Sequence, residues 1–270
     1  MNLFNCDIKF LLLSIIIFCE FLITEQQPIL SRNTYKGLKG VAPSDYVFDS
    51  GFNRAVYFYE QTVAVVDINK KNEMLNCDII EVYESSEANE VLGNLSKTVK
   101  PSEVNFQQMT KLMHRCEVLD LMQRYDVKEK IQPKGALERA NVFGTNALNL
   151  LSGILPGTKW CGTGDLAANY HDLGTEIEID KCCRTHDLCP IKIKSKKSRY
   201  NLTNTSIYSK SHCDCDRIFY KCLKKTKNSQ ASLMGKLYFN VVKVGCIEDL
   251  PERIDDISTS RRFVPSQLSF

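Results

Sequence analysis

A mainly α, disulfide-stapled domain, preceded by a small α+β region, is the fold that three features of this sequence predict. Ten cysteines follow residue 70, and eight of them fall between Cys161 and Cys246. Cys182 and Cys189 lie seven residues apart, as do Cys215 and Cys222, and that spacing forms a stripe along one face of a helix. The part before residue 140 instead opens with β-branched and aromatic runs, then turns to a helical period.

The chain has 270 residues, enough for one or two domains, and its 43% hydrophobic content can build a packed core. A net charge of +3, without basic runs interleaved with aromatics, gives no support for a nucleic-acid partner, and none is expected. Residues 10–19 form an apolar stretch after Lys9, and polar residues begin by Thr24. Residues 1–24 therefore read as a secretory signal peptide and not as a membrane span. Cys6 and Cys19 would leave with it. The even number that remains reads as a disulfide framework made in an oxidising compartment, so the protein is expected to be secreted and extracellular. Three sequons, at Asn94, Asn201 and Asn204, are candidate glycosylation sites on that route.

Cysteine density divides the rest. Residues 25–150 read as an α+β region or a propeptide, 151–250 as the cysteine-rich domain, and 251–270 as a C-terminal tail. Strands are expected at 54–59, 62–68 and 79–83, with a polar turn at 69–72. Phe106, Met109, Met113, Cys116 and Leu119 then follow a helical period, which puts Cys116 on a buried face. Cys77, just ahead of the third strand, and Cys116 are the only cysteines of this region, and they are expected to pair. His114 belongs to no catalytic constellation and reads as a structural or surface residue. Arg139 offers a cleavage point should the region be removed.

Three motifs in the cysteine-rich part carry chemistry. In Trp160-Cys161-Gly162-Thr163-Gly164-Asp165, alternate glycines let the backbone turn sharply and aim carbonyls at one point, and carbonyl oxygens suit a hard cation. A plain tight turn fits that segment alone equally well. In Cys182-Cys183-Arg184-Thr185-His186-Asp187-Leu188-Cys189, adjacent His186 and Asp187 project about 100° apart on a helix, so they serve separate jobs. One can hold a metal while the other handles a proton. The crowding of cysteines on one helix, without paired C-x2-C knuckles, argues against structural zinc. The third motif is Cys213-Asp214-Cys215-Asp216, leading to Cys222 and then to Tyr238. If both cysteine-striped segments are helical, an antiparallel arrangement would join Cys182 to Cys222 and Cys189 to Cys215. Asp216 would then lie about 3 Å along the axis from the level of His186, within reach of its imidazole.

Together these motifs closely resemble secreted phospholipase A2 of the bee-venom (group III-like) type, over roughly Ile154 to Cys246. The resemblance implies that His186 is the general base, held by Asp216 and supported by Tyr238. It implies a calcium ion bound by the carboxylate of Asp187 and the backbone carbonyls of Trp160, Gly162 and Gly164. It also implies disulfides Cys161–Cys183, Cys182–Cys222, Cys189–Cys215 and Cys213–Cys246. The expected reaction is calcium-dependent hydrolysis of the sn-2 ester of a glycerophospholipid, giving a free fatty acid and a lysophospholipid. The family's extra disulfide beyond Cys246 is missing here, and the part before residue 141 lies outside the resemblance. A non-catalytic, toxin-like receptor ligand on the same scaffold is the alternative, and intact His186, Asp187 and Asp216 argue against it.

The expected partner is a phospholipid membrane surface. Ile154 and Leu155, and Ile191 and Ile193 alternating with Lys192 and Lys194 before Lys196, Lys197 and Arg199, are candidates for contact with it. A solvated basic loop explains the second stretch equally well.

Overall fold

The computed structural model describes residues 52–131, 153–250 and 260–270. They belong to one compact unit that runs from Tyr35 to Phe270. The expected signal peptide, the Arg139 cleavage point and the tail residues 251–259 lie outside the described residues. No described helix is long and apolar enough to cross a membrane.

Three strands, β1 (Phe52–Tyr59), β2 (Thr62–Asn69) and β3 (Met74–Glu81), form an antiparallel meander, and the short β4 (Ser102–Glu103) pairs parallel to the outer edge of β1. The β2–β3 turn is held by Asn69, whose side-chain oxygen accepts from the backbone of Lys71 and Glu73 at 2.9 Å each. Successive side chains of a strand face opposite ways, and β2 is apolar on both sides. Val63 and Val65 join Val56 and Ile80 under helix α1 (Ser85–Ser96), which contributes Val91 and Leu95. Ala64 and Val66 face the other way, with Cys77, Ile79 and Met109, Met113 and Cys116 of helix α2 (Phe106–Ile131).

Two expectations need correction here. β3 begins at Met74, so Cys77 lies inside the strand and not ahead of it. Asn76-Cys77-Asp78 carry little β propensity, but pairing with Val65, Val66 and Asp67 of β2 holds them in the ladder. Helix α1 was not expected. Its signal was a reciprocal cap between Glu84 and Glu87 and a row of Ala88, Val91, Leu92 and Leu95.

The second face of the sheet shares one core with the cysteine-rich part, including Trp160, Ile179, Phe219, Leu223 and Phe239. That part is built on α3 (Ile177–Asp187) and α4 (Cys213–Thr226). Helix α5 (Ser229–Gly235) then runs into a π-helical turn, Lys236–Val242. β5 (Cys246–Asp249) pairs with β6 (Arg261–Val264), and the end of the chain returns to the π-helical turn, where Asn240 donates to the Phe270 carbonyl at 2.9 Å.

Among the described residues there are five disulfides, Cys77–Cys116, Cys161–Cys183, Cys182–Cys222, Cys189–Cys215 and Cys213–Cys246. The first ties β3 to α2. The other four lie within 153–250, so no disulfide joins that part to 52–131.

Candidate active site

Cys182–Cys222 bolts α3 to α4, and Cys189, two residues past the end of α3, bolts to Cys215 near the start of α4, with Cα separations of 5.7 and 6.0 Å. Between the bolts, His186 Nε2 meets Asp216 Oδ1 at 2.7 Å. A carboxylate accepts only, so Nε2 carries the proton, and in the neutral ring Nδ1 keeps the lone pair. Tyr238 Oη donates to the same Asp216 oxygen at 3.2 Å and lies 3.4 Å from His186 Nε2. Burial, together with the Asp216 charge, pushes the Tyr238 phenol well above its ordinary pKa, so it stays a donor. Phe219 stacks on the imidazole at 4.5 Å between centroids. The side chains of His186 and Asp216 are 10% and 3% exposed. The ring is thus held on one nitrogen and one face, with its other nitrogen available for a proton.

The glycine loop approaches the same helix. Cys161–Cys183 fastens it one turn before Asp187. Asp180, near the start of α3, accepts from the backbone of Lys159 (3.0 Å), Trp160 (2.8 Å) and Gly174 (2.8 Å), although burial pushes its pKa up. Leu155 donates to Cys161 O and Thr163 to Gly153 O, which makes Ile154 and Gly162 the pair without mutual hydrogen bonds in a small bridge. The amide and carbonyl of Gly162 therefore point away from residues 153–155. A Cβ at Gly162 would sit 2.2 Å from Gly153 O, and Gly164 has φ +102°, so both positions require glycine.

Lys192, missed as a site residue, reaches the other end of α3. Its ammonium donates to the backbone carbonyl of Asp187 and pairs with Glu81 Oε1 at 2.5 Å. This corrects the membrane-contact reading of 191–194. Ile191 and Ile193 are fully buried against Ile247, and Lys192 is buried with its charge matched by Glu81. Ile154 is buried as well. Asn204 is also corrected as a glycan site. It is buried, and its side-chain nitrogen donates to the carbonyls of Ile193, Lys194 and Tyr208. Asn201 is exposed and Asn94 half-buried. His114 is exposed.

No described group of three or more His, Cys, Asp or Glu side chains could hold a metal ion. A site made of carbonyls and one carboxylate is not such a group. A cavity of about 450 Å³ lies between α2 and the bolted pair, lined among others by Met113, Glu117, Thr185 and Ile218. His186, Asp187 and Asp216 do not line it, so it is separate from the site.

A family model described as phospholipase A2 matches residues 154–250. Phospholipase A2 isozymes of Heloderma suspectum are 45% identical over 95 residues, covering 35% of this chain and 66% of the relative. The phospholipase A2 of Apis cerana cerana is 43% identical over 94 residues, covering 34% of this chain and 70% of the relative. The chain belongs to the phospholipase A2 family. It spans about two thirds of the length of these relatives. The matched stretch of the phospholipase A2 model contains His186, Asp187, Asp216, Tyr238 and the glycine loop, and it excludes the sheet and helices of 52–131. The phospholipase A2 part is a disulfide-stapled, mainly helical fold.

Proposed function

We propose that the chain is a secreted, calcium-dependent phospholipase A2 that hydrolyses the sn-2 ester of glycerophospholipids. The observation that carries the reading is the fixed imidazole, with Nε2 bound to Asp216 and Nδ1 left to accept a proton. Histidine has an ordinary pKa of about 6.5, which suits a general base near neutral pH. His186 Nδ1 takes a proton from water as the water attacks the ester carbonyl, and gives it to the lysophospholipid oxygen as the sn-2 acyl C–O bond breaks. Asp216 stabilises the imidazolium that forms, and Tyr238 holds the Asp216 oxygen in place. The Gly162 amide can donate to the oxygen on which negative charge grows.

Asp187 and the carbonyls of Trp160, Gly162 and Gly164 fit a hard cation, because all are oxygens and the loop is tied to the helix beside them. Calcium, when bound there, supplies polarisation of the ester carbonyl and a contact for the phosphate. Five disulfides support an oxidising, extracellular setting, and Asn94 and Asn201 remain the glycan candidates. For the lipid surface, Leu233, Leu237 and Val241 stand four residues apart and are 56%, 43% and 72% exposed, beside Tyr238. They replace 191–194 as the apolar contact.

The roles separate by mutation. His186→Gln is expected to abolish turnover and leave calcium binding intact, while Asp187→Asn weakens both, as read by calorimetric calcium titration alongside fatty-acid release. The reverse pattern would exchange the two roles. A receptor-only function would show as an intact chain without turnover.

A further inference from the structure

The end of a helix leaves its last carbonyls without partners inside the helix, and a buried end must find them elsewhere. At the end of α3, which carries His186 and Asp187, Leu188, Cys189 and Lys192 take the carbonyls of Arg184, His186 and Asp187, and residues 52–131 hold the carbonyls that follow the helix. Thr62 Oγ1 donates to Leu188 O at 3.1 Å, and the Gln61 backbone donates to Pro190 O at 3.1 Å. The Gln61 side chain donates to Lys192 O at 2.7 Å. That fixes the lysine whose ammonium caps Asp187 O, and Glu81 of β3 balances its charge. On the other side of the helix, Thr185 donates to Glu117 of α2 at 2.5 Å, and the fully buried Arg184 donates to Asp120 of α2 at 2.8 Å. Asp120 also holds His171 Nδ1 at 2.8 Å, while Asp78 of β3 holds His171 Nε2 at 2.9 Å.

We propose that residues 52–131 are a clamp retained in the working enzyme, with Thr62 and Glu81 as positioning residues that set where Asp187 sits and what field it feels. The inference rests on the reading of Asp187 as a calcium ligand. Two consequences follow from charge and geometry. Lys192 places a positive charge beside a carboxylate meant for a dication, and that charge is tolerable because Glu81 offsets it. The Leu188 carbonyl, one residue after Asp187, is fixed by the Thr62 hydroxyl, so losing the hydroxyl loosens the chain directly after the ligand. Partners one step removed from a metal ligand typically govern affinity by 10–100-fold. Since no disulfide joins 52–131 to 153–250, the clamp holds through buried contacts alone.

The test uses the full chain. Thr62→Val and Glu81→Gln should each weaken calcium binding roughly tenfold by calorimetry, and Thr62→Ser, which keeps the hydroxyl, should bind like the parent. Amide exchange over 186–191 should quicken in Thr62→Val whether or not calcium is present. Parental affinity and parental exchange in Thr62→Val would overturn the clamp. A parent chain that binds no calcium would overturn the ligand reading instead, and the exchange comparison would still decide the clamp. A protease site inserted between 131 and 153 tests retention: the cut pieces should co-elute at neutral pH, and separate elution would overturn it.

Discussion

His171 is held by a carboxylate on each ring nitrogen, Asp120 on Nδ1 and Asp78 on Nε2, so both nitrogens donate and the ring is charged. Burial opposes that charge, but the two acids outweigh it and raise the pKa above 6.5. Burial likewise opposes the charge on Asp120, and His171 and Arg184 outweigh it, holding that carboxyl well below its ordinary 3.8. The His171 contribution to stability is complete below pH 6.5 and is lost as pH rises through the raised value. The Asp120 contribution is complete above 3.8 and is lost as pH falls through the lowered value. The melting temperature should therefore fall on the alkaline side of pH 6.5, and His171→Gln should remove that part of the slope; an unchanged slope in thermal scans would show that the pair does not titrate with folding. None of this was legible in sequence, because Asp78, Asp120 and His171 lie 93 and 51 residues apart and no local pattern joins them. The contact of His186 with Asp216 was legible because short motifs and seven-residue cysteine spacing confine the two residues.

At the scale of elements, the pairings of Cys182 with Cys222 and Cys189 with Cys215 could be read because a helix repeats its face about every seven residues, although α3 ends at Asp187 and Cys189 pairs from just beyond it. The glycine loop was legible as a turn and its tie through Cys161–Cys183 followed from the resemblance, but its anchoring on Asp180 was not legible. Asp180 accepts three backbone amides from it and from Gly174, and an acid in a first helical turn carries no sign of that task. Gly162→Ala should lower both calcium affinity and stability, since its Cβ would meet Gly153 O at 2.2 Å; a cost of about 1–3 kcal/mol in urea unfolding is in line with overpacking. The stretch 191–194 shows the opposite failure. Alternating Ile and Lys suggested an amphipathic surface, yet Ile191 and Ile193 fill a small core and Lys192 is neutralised by Glu81, an acid more than a hundred residues away. Alternation shows that a segment has two faces, and only tertiary partners decide which face is dry.

Over the whole molecule, the strands and α2 of 52–131 were read from β-branched runs and a helical period, whereas their union with the phospholipase A2 part was not. The shared core gathers Ala64, Val66 and Ile79 into one cluster with Trp160 and Ile179, and such packing leaves no trace in either segment alone. Leu233, Leu237 and Val241 leave large apolar side chains 56%, 43% and 72% exposed, as the proposed lipid contact requires. Val241→Asp should reduce hydrolysis of vesicles about tenfold, from lost apolar burial of ~1.5 kcal/mol or more, and leave a monomeric short-chain substrate unaffected. Equal loss on both substrates would place Val241 in the fold and not at the membrane. The most direct test of the central claim uses phospholipid vesicles labelled in the sn-2 acyl chain. With calcium, the label should appear as free fatty acid, and excess chelator or His186→Gln should stop its release. Label retained in the lysophospholipid, or release that ignores chelator, would contradict it.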